Sequence, residues 1–177
     1  KKNFLVHARP PQHFCNFGGG LLIFNGDILC AFPPPVLTLL CLFVIGALDG
    51  VFPSQMLRFP GQIVIASAIG LAGLVLVLIA IRGFYRVETT VLPQEMARSS
   101  TLVTGGVYQI SRNPMYLGMA AIIAGPGLAL GAWATLPVFA VFVWVITTYQ
   151  IIPEERALRK SFGDEFESYQ AKVRRWI

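Results

Sequence analysis

Four long apolar runs, almost free of charge, decide what this chain can fold into. Val36–Phe52 has 17 residues and one charge, Asp49, near its end. Ile63–Ile81 has 19 residues and no charge. Met115–Leu130 has 16, interrupted by Gly125-Pro126-Gly127, and Ala132–Ile152 has 21, with Pro137 near its start. A helix needs about 17–25 residues to cross a bilayer. The second and fourth runs pass easily and the first passes at the lower limit. The third is short, but it starts directly after Pro114 and can borrow polar ends. Only 13% of the 177 residues are charged, against about 25% in soluble domains, so a water-facing surface cannot be built. The expected fold is an all-α integral membrane protein with about four transmembrane helices. A soluble domain and a disordered chain are excluded.

The third and fourth runs are joined by little more than Gly131. So short a link between long helices makes an antiparallel hairpin. Gly127 and Gly131 form a small-xxx-small pair, which suits close helix packing. The basic residues give the orientation. Lys1, Lys2 and Arg9 lie in the N-terminal arm, and Arg82, Arg86, Arg98 and Arg112 lie between runs two and three. Arg156, Arg159, Lys160, Lys172, Arg174 and Arg175 lie in the tail. With four spans these segments share one face and hold all but Arg58 of the 14 basic residues. The excess of positive charge inside assigns that face, with both termini, to the cytoplasm. The net charge of +5 is thus an orientation signal. No basic stripe with interleaved aromatics is present, so nucleic acid is not an expected partner.

The chain divides into an N-terminal arm, residues 1–35, and a membrane domain, residues 36–177, whose chemistry falls in about 82–177. The arm does not read as a secretory signal, because Leu21–Phe24 is too short an apolar core. A half-buried element in residues 17–32 is compatible with the pattern. His7, His13 and Cys15 fit no recurrent zinc spacing, and three scattered cysteines give no disulfide framework, so no metal is expected. In the tail, Pro153 suits a first helical turn, with Glu154 and Glu155 following at the positive end of the dipole. Leu158, Phe162, Phe166, Tyr169, Val173 and Trp176 recur at helical spacing, and Gly163 divides the tail in two. Such an amphipathic segment lies on a membrane surface.

Two polar segments, residues 99–116 and Gln150–Glu155, flank the hairpin and meet at its open mouth. Tyr108, Arg112, Tyr116, Glu154 and Glu155 therefore converge. A structural reading explains each of them. Asn113-Pro114 is an ordinary helix start with a capping Asn. The tyrosines anchor at the interface, and Arg112 pairs with Glu155. Ionisable groups at the end of a membrane hairpin also mark functional sites. Gly105-Gly106 lets a ligand approach the backbone, the carboxylates suit an ammonium, and tyrosine faces suit a sulfonium. No dinucleotide fingerprint or phosphate-binding loop is present, and neither histidine lies near the mouth. A reaction driven by positioning and exclusion of water fits this set, and methyl transfer from S-adenosylmethionine is one.

Leu102-Val103-Thr104-Gly105-Gly106-Val107-Tyr108 and Arg112-Asn113-Pro114-Met115-Tyr116, with the later Glu154-Glu155, Phe162-Gly163 and Tyr169, resemble the isoprenylcysteine carboxyl methyltransferases and their phospholipid N-methyltransferase relatives. The resemblance covers roughly residues 80–177. It implies a small membrane methyltransferase using S-adenosylmethionine in a cytoplasm-facing pocket closed by the tail. It also implies a lipophilic or small acceptor arriving from the bilayer. Carried onto this chain, it assigns the donor to Ser100, Thr101, Leu102, Val103, Gly106, Tyr108, Asn113, Pro114, Met115, Tyr116 and Glu154. Arg112, Asn113, Tyr116 and Glu155 become the catalytic set, and Gln150 faces the acceptor. Two positions depart from the family pattern. Asn113 stands where His is usual, and Gln150 stands where the animal enzymes place an Arg to meet a substrate carboxylate. A neutral amide does not pair a carboxylate as a guanidinium does, which favours an amine, thiol or other lipophilic acceptor. Two other readings remain: an NADPH-dependent membrane reductase of the sterol type, and a membrane protein without catalysis.

Overall fold

The computed structural model of the protein describes residues 33–53, 58–86 and 102–177. The arm before residue 33, with the element considered for residues 17–32, lies outside the described residues, as do Ser100 and Thr101. Four apolar helices carry the fold, and no strand occurs among the described residues. They are α1 (Pro34–Val51), α2 (Gln62–Arg86), α3 (Pro114–Leu130) and α4 (Thr135–Ile146). A 3₁₀ turn, Gly106–Gln109, precedes α3. After α4 come a π turn (Thr147–Ile151), α5 (Ile152–Phe162) and α6 (Asp164–Lys172).

The helix ends follow from the sequence. Both α1 and α3 start on proline, whose missing N–H is one that the first turn leaves unpaired anyway. α3 stops at Gly131, which takes the left-handed backbone (φ 69°) that suits glycine. The hairpin is antiparallel: Gly127, near the end of α3, sits against Thr135 at the start of α4. Three segments are long and apolar enough to cross a membrane: Pro34–Val51, Gln62–Gly83 and Thr135–Phe162. α3, with 17 residues, is shorter, about 26 Å at 1.5 Å per residue.

α3 is the hub. It packs chiefly on α2 and also on α1 and α4, while α2 and α4 share no packed interface. Ile45, Ile123, Phe142, Ile146 and Ile151 fill the buried centre. Leu39, Phe43, Ile63, Val64, Leu71, Val141 and Trp144 point outward, as a lipid-facing surface requires. Glycines set the α2–α3 crossing. A Cβ on Gly73 would lie 2.6 Å from the Gly118 carbonyl oxygen and 2.8 Å from Ala121 Cβ. One on Gly125 would lie 2.8 Å from the Gly70 Cα. This corrects half of the expectation of a Gly127–Gly131 packing pair. Gly127 does pack closely, against Thr135 of α4, but Gly131 ends its helix, and the α2–α3 approach lies at Gly118 and Gly125, facing Gly73 and Gly70. Small residues four apart in one segment do not reveal which helix they face. At the other end of the bundle Gln62 braces the pair, donating to the Leu128 carbonyl and accepting from the Phe59 N–H at 3.1 Å.

The fourth run does not stop at Pro153. It continues through the π turn into α5, giving 28 helical residues from Thr135 to Phe162. Proline has no N–H and crowds the carbonyl four residues before it, and a wider turn at Thr147–Ile151 absorbs both problems. Gly163 (φ 48°) divides the tail as expected. The helical spacing does not extend to Val173 and Trp176, because α6 ends at Lys172 and Val173 is extended. The tail folds back on the bundle, burying Phe166 and packing Trp176 against the core.

Adding a side chain at the crossing should cost about 1–3 kcal/mol, the usual penalty of overpacking. Gly118→Val is therefore expected to lower the thermal midpoint in detergent by several degrees. Gly46→Ala, where nothing lies within 4 Å among the described residues, should leave it unchanged or raise it slightly.

Candidate functional site

The open mouth of the hairpin brings together the segment before α3, the π turn with the start of α5, and the end of the tail. Tyr116, in the first turn of α3, is buried and donates to Glu154 Oε1 at 2.6 Å across the hairpin. The π turn carries Gln150 and Ile151 inward, and both are buried. Tyr108, on the 3₁₀ turn, is also buried and joins three elements. Its hydroxyl donates to the Ala80 carbonyl of α2 at 3.4 Å, and its ring lies over Gly83. Its own carbonyl accepts from the Tyr169 hydroxyl at 2.6 Å. Burial pushes the Tyr108 hydroxyl well above its ordinary range and the Tyr169 hydroxyl up to about 12. Both stay protonated and donate.

A three-member charge cluster lies beside these groups. Glu155 holds Arg175 through two contacts, at 3.0 Å to Nε and 2.7 Å to Nη2. The same carboxylate lies 3.1 Å from Arg112 Nη1. The Arg112 and Glu155 side chains are only 9% and 12% exposed. Burial lowers the Arg112 pKa and Glu155 opposes it. The hydrogen bond to Glu155 raises that of Arg175. Two guanidiniums share one carboxylate, so the cluster keeps a surplus positive charge. Arg112 Nε and Nη1 have no well-aligned hydrogen-bond acceptor among the described residues.

The expected site residues occupy one region. Tyr116 pairs with Glu154 and Arg112 with Glu155, the adjacent carboxylates lie within electrostatic reach of each other, and Tyr108 lies within that reach of Glu154 and Tyr116. Leu102 is buried and Val103 half-buried on the approach to the 3₁₀ turn, and Pro114 and Met115 begin α3. Gly106 has a positive φ (62°), which explains a glycine there without a ligand. Gly105 has an ordinary φ, and a Cβ there would meet nothing within 4 Å among the described residues. Asn113 differs from the expected helix cap. It occupies the cap position, but its side chain makes no capping bond. Its Nδ2 donates instead to the Arg175 carbonyl at 3.0 Å, and its backbone N–H is capped by Ser111 Oγ at 3.1 Å. The Nδ2 bond turns the amide toward the tail, and Ser111 Oγ serves the N–H of Asn113 itself rather than those of the first turn of α3.

Sequence reasoning missed Ser111 and Arg175 as members of the site. Arg175 is one of six basic residues in the tail, and its neighbour Arg174 points outward. Hydropathy does not separate adjacent arginines.

A model of the phospholipid methyltransferase family matches residues 61–165. A 72-residue stretch is 35% identical to a protein-S-isoprenylcysteine O-methyltransferase of Schizosaccharomyces pombe, covering 41% of this chain and 30% of the relative. The chain is 38% identical over 72 residues to protein-S-isoprenylcysteine O-methyltransferase B of Arabidopsis thaliana, covering 41% and 36% respectively. It is 41% identical over 66 residues to an uncharacterised protein of Haemophilus influenzae, covering 36% of this chain and 100% of that one. The match thus spans about a third of the length of the two methyltransferases. No solved structure matches.

The tyrosine contacts give a pH signature. A folded pKa near 12 for Tyr169, against about 10 unfolded, favours folding below pH 10. That contribution is lost as pH rises from about 10 to 12, because the unfolded chain ionises first. Thermal midpoints should therefore fall across that window. Tyr169→Phe should flatten part of the slope and cost about 0.5–1.5 kcal/mol at neutral pH, the net worth of one hydrogen bond.

Proposed function

The chain belongs to the phospholipid methyltransferase family, and from that premise we propose that it is a membrane-embedded methyltransferase using S-adenosylmethionine. The acceptor is a lipophilic or small molecule bearing a carboxylate, amine or thiol. The observation that carries this reading is the paired charge arrangement at the mouth. Glu154, across the hairpin from Tyr116, is a site for an ammonium, and Arg112, buried with Nε unpaired among the described residues, is a site for a carboxylate. An amino-acid zwitterion bears both, so the residues present fit the donor.

When bound, S-adenosylmethionine supplies an electrophilic methyl group on a sulfonium centre. The protein's part is to hold and to exclude water. In this reading Glu154 and Arg112 grip the two charges of the donor's amino-acid end. Tyr108 and Tyr116 offer ring faces toward the cation. Leu102, Val103, Pro114 and Met115 line the apolar part and Gly106 and Asn113 border it; Ser100 and Thr101, which the family resemblance adds to the donor site, lie outside the described residues. The Glu155 carboxylate is already committed to two guanidiniums, so it serves as an electrostatic brace rather than as a base. Gln150, buried on the π turn, faces the acceptor as a neutral amide. The acceptor arrives from the bilayer through the side where α2 and α4 share no packed interface. The distribution of basic residues assigns the mouth and both termini to the cytoplasm.

The test is a titration of detergent-purified protein with S-adenosylmethionine and, separately, with NADPH. Binding of the first alone is expected. Binding of NADPH alone would move the protein to the reductases, and binding of neither by folded protein would favour a non-catalytic role. Glu154→Gln should weaken donor binding by about 1.5–3 kcal/mol, the scale of a charged hydrogen bond. Undiminished binding would remove Glu154 from the site.

A further inference from the structure

The end of the tail is fastened to the residues around Arg112, and on the tail's side the fastening is made by backbone carbonyls. The Arg112 N–H donates to the Arg174 carbonyl at 3.0 Å. Ser111 Oγ and Asn113 Nδ2 both donate to the Arg175 carbonyl, at 3.3 and 3.0 Å. Three consecutive residues before α3 thus hold two consecutive carbonyls of the tail. Trp176, next along, packs against the core and prevents this strand from sliding. The Arg175 side chain then turns back to grip Glu155 with a two-pronged contact.

This arrangement has one consequence for Arg112. A lone carboxylate beside a buried guanidinium would rotate to bind it squarely through both oxygens. Here Arg175 occupies both oxygens of Glu155, and Arg112 receives only an edge contact at Nη1. Arg112 is held in place and charged, yet its Nε–H is left unpaired among the described residues. We infer that Arg175 is a positioning residue of the donor site: it fixes Glu155 so that Arg112 stays oriented but unsaturated, ready for an anionic oxygen of the ligand. The inference rests on the methyltransferase reading. Without Arg175, Glu155 would close on Arg112 and compete with the ligand for it.

The test is calorimetric titration of the full chain in detergent with S-adenosylmethionine, reading affinity and stoichiometry separately. Arg175→Ala should weaken donor binding tenfold or more at unchanged stoichiometry. Arg175→Lys should recover part of the loss, since an ammonium reaches one carboxylate oxygen but lacks the fork. Lys172→Ala, which removes a charge from the same tail at an exposed position, should bind as the parent protein does. Should Arg175→Ala not fold, Glu155→Gln provides the second variant. It removes the charge that holds both guanidiniums and is also expected to weaken binding at full stoichiometry. Unchanged affinity in the folded fraction, with fewer competent molecules, would make Arg175 merely structural and overturn the proposal while leaving the methyltransferase reading intact. A folded parent protein that binds no donor would overturn that reading, and the role of Arg175 would fall with it.

Discussion

Backbone contact between α2 and α3 is the constraint from which the rest of the bundle is laid out. In a bilayer no hydrophobic force drives one helix onto another, because lipid tails are as apolar as leucine. Association must come from close packing, and the glycines at 70, 73, 118 and 125 allow it. With α2 seated there, Ala80 and Gly83 lie where the Tyr108 hydroxyl and ring find them. The 3₁₀ turn is thereby fixed, and with it the start of α3. α4 must then take another face of α3, which leaves α2 and α4 apart. The separation at the mouth is a result of the crossing at the centre.

Charge placement at the mouth obeys a second rule. A buried ion is tolerated only with an opposite charge in reach. Glu155 satisfies two arginines at once, and the tail provides one of them. The tail is therefore more than an amphipathic cover. Its backbone satisfies Arg112, Ser111 and Asn113, and its side chains satisfy Glu155 and the Tyr108 carbonyl. Loss of that segment would strand polar groups in a bundle that has little water to offer them.

The four helices were legible because their cause is local: unbroken apolar runs of spanning length, ended by Pro and Gly. The convergence of Tyr116 with Glu154 and of Arg112 with Glu155 was also legible. A short hairpin link forces its two open ends together, whatever the details. The glycine crossing was not, because a small residue in one helix does not announce its partner. Asn113 was read as a cap from its position next to Pro114, while its side chain answers to a carbonyl 62 residues away. Arg175 escaped for the same reason, being selected by tertiary contact. Pro153 does sit in the first turn of α5, with Glu154 and Glu155 after it, but that turn follows the π turn without a break.

That passage through Pro153 sets the aim of everything after it. A π turn holds one residue more than an α turn, and each residue of an α-helix advances the chain by about 100° around the axis. The extra residue in Thr147–Ile151 therefore rotates all of α5 relative to α4. Glu154 and Glu155 face the mouth because of that phase shift. Removing a single residue from the turn would preserve composition, hydropathy and charge, yet swing both carboxylates toward another side of the helix. The register of one turn, more than the identity of its side chains, decides which surface of this helix carries the chemistry.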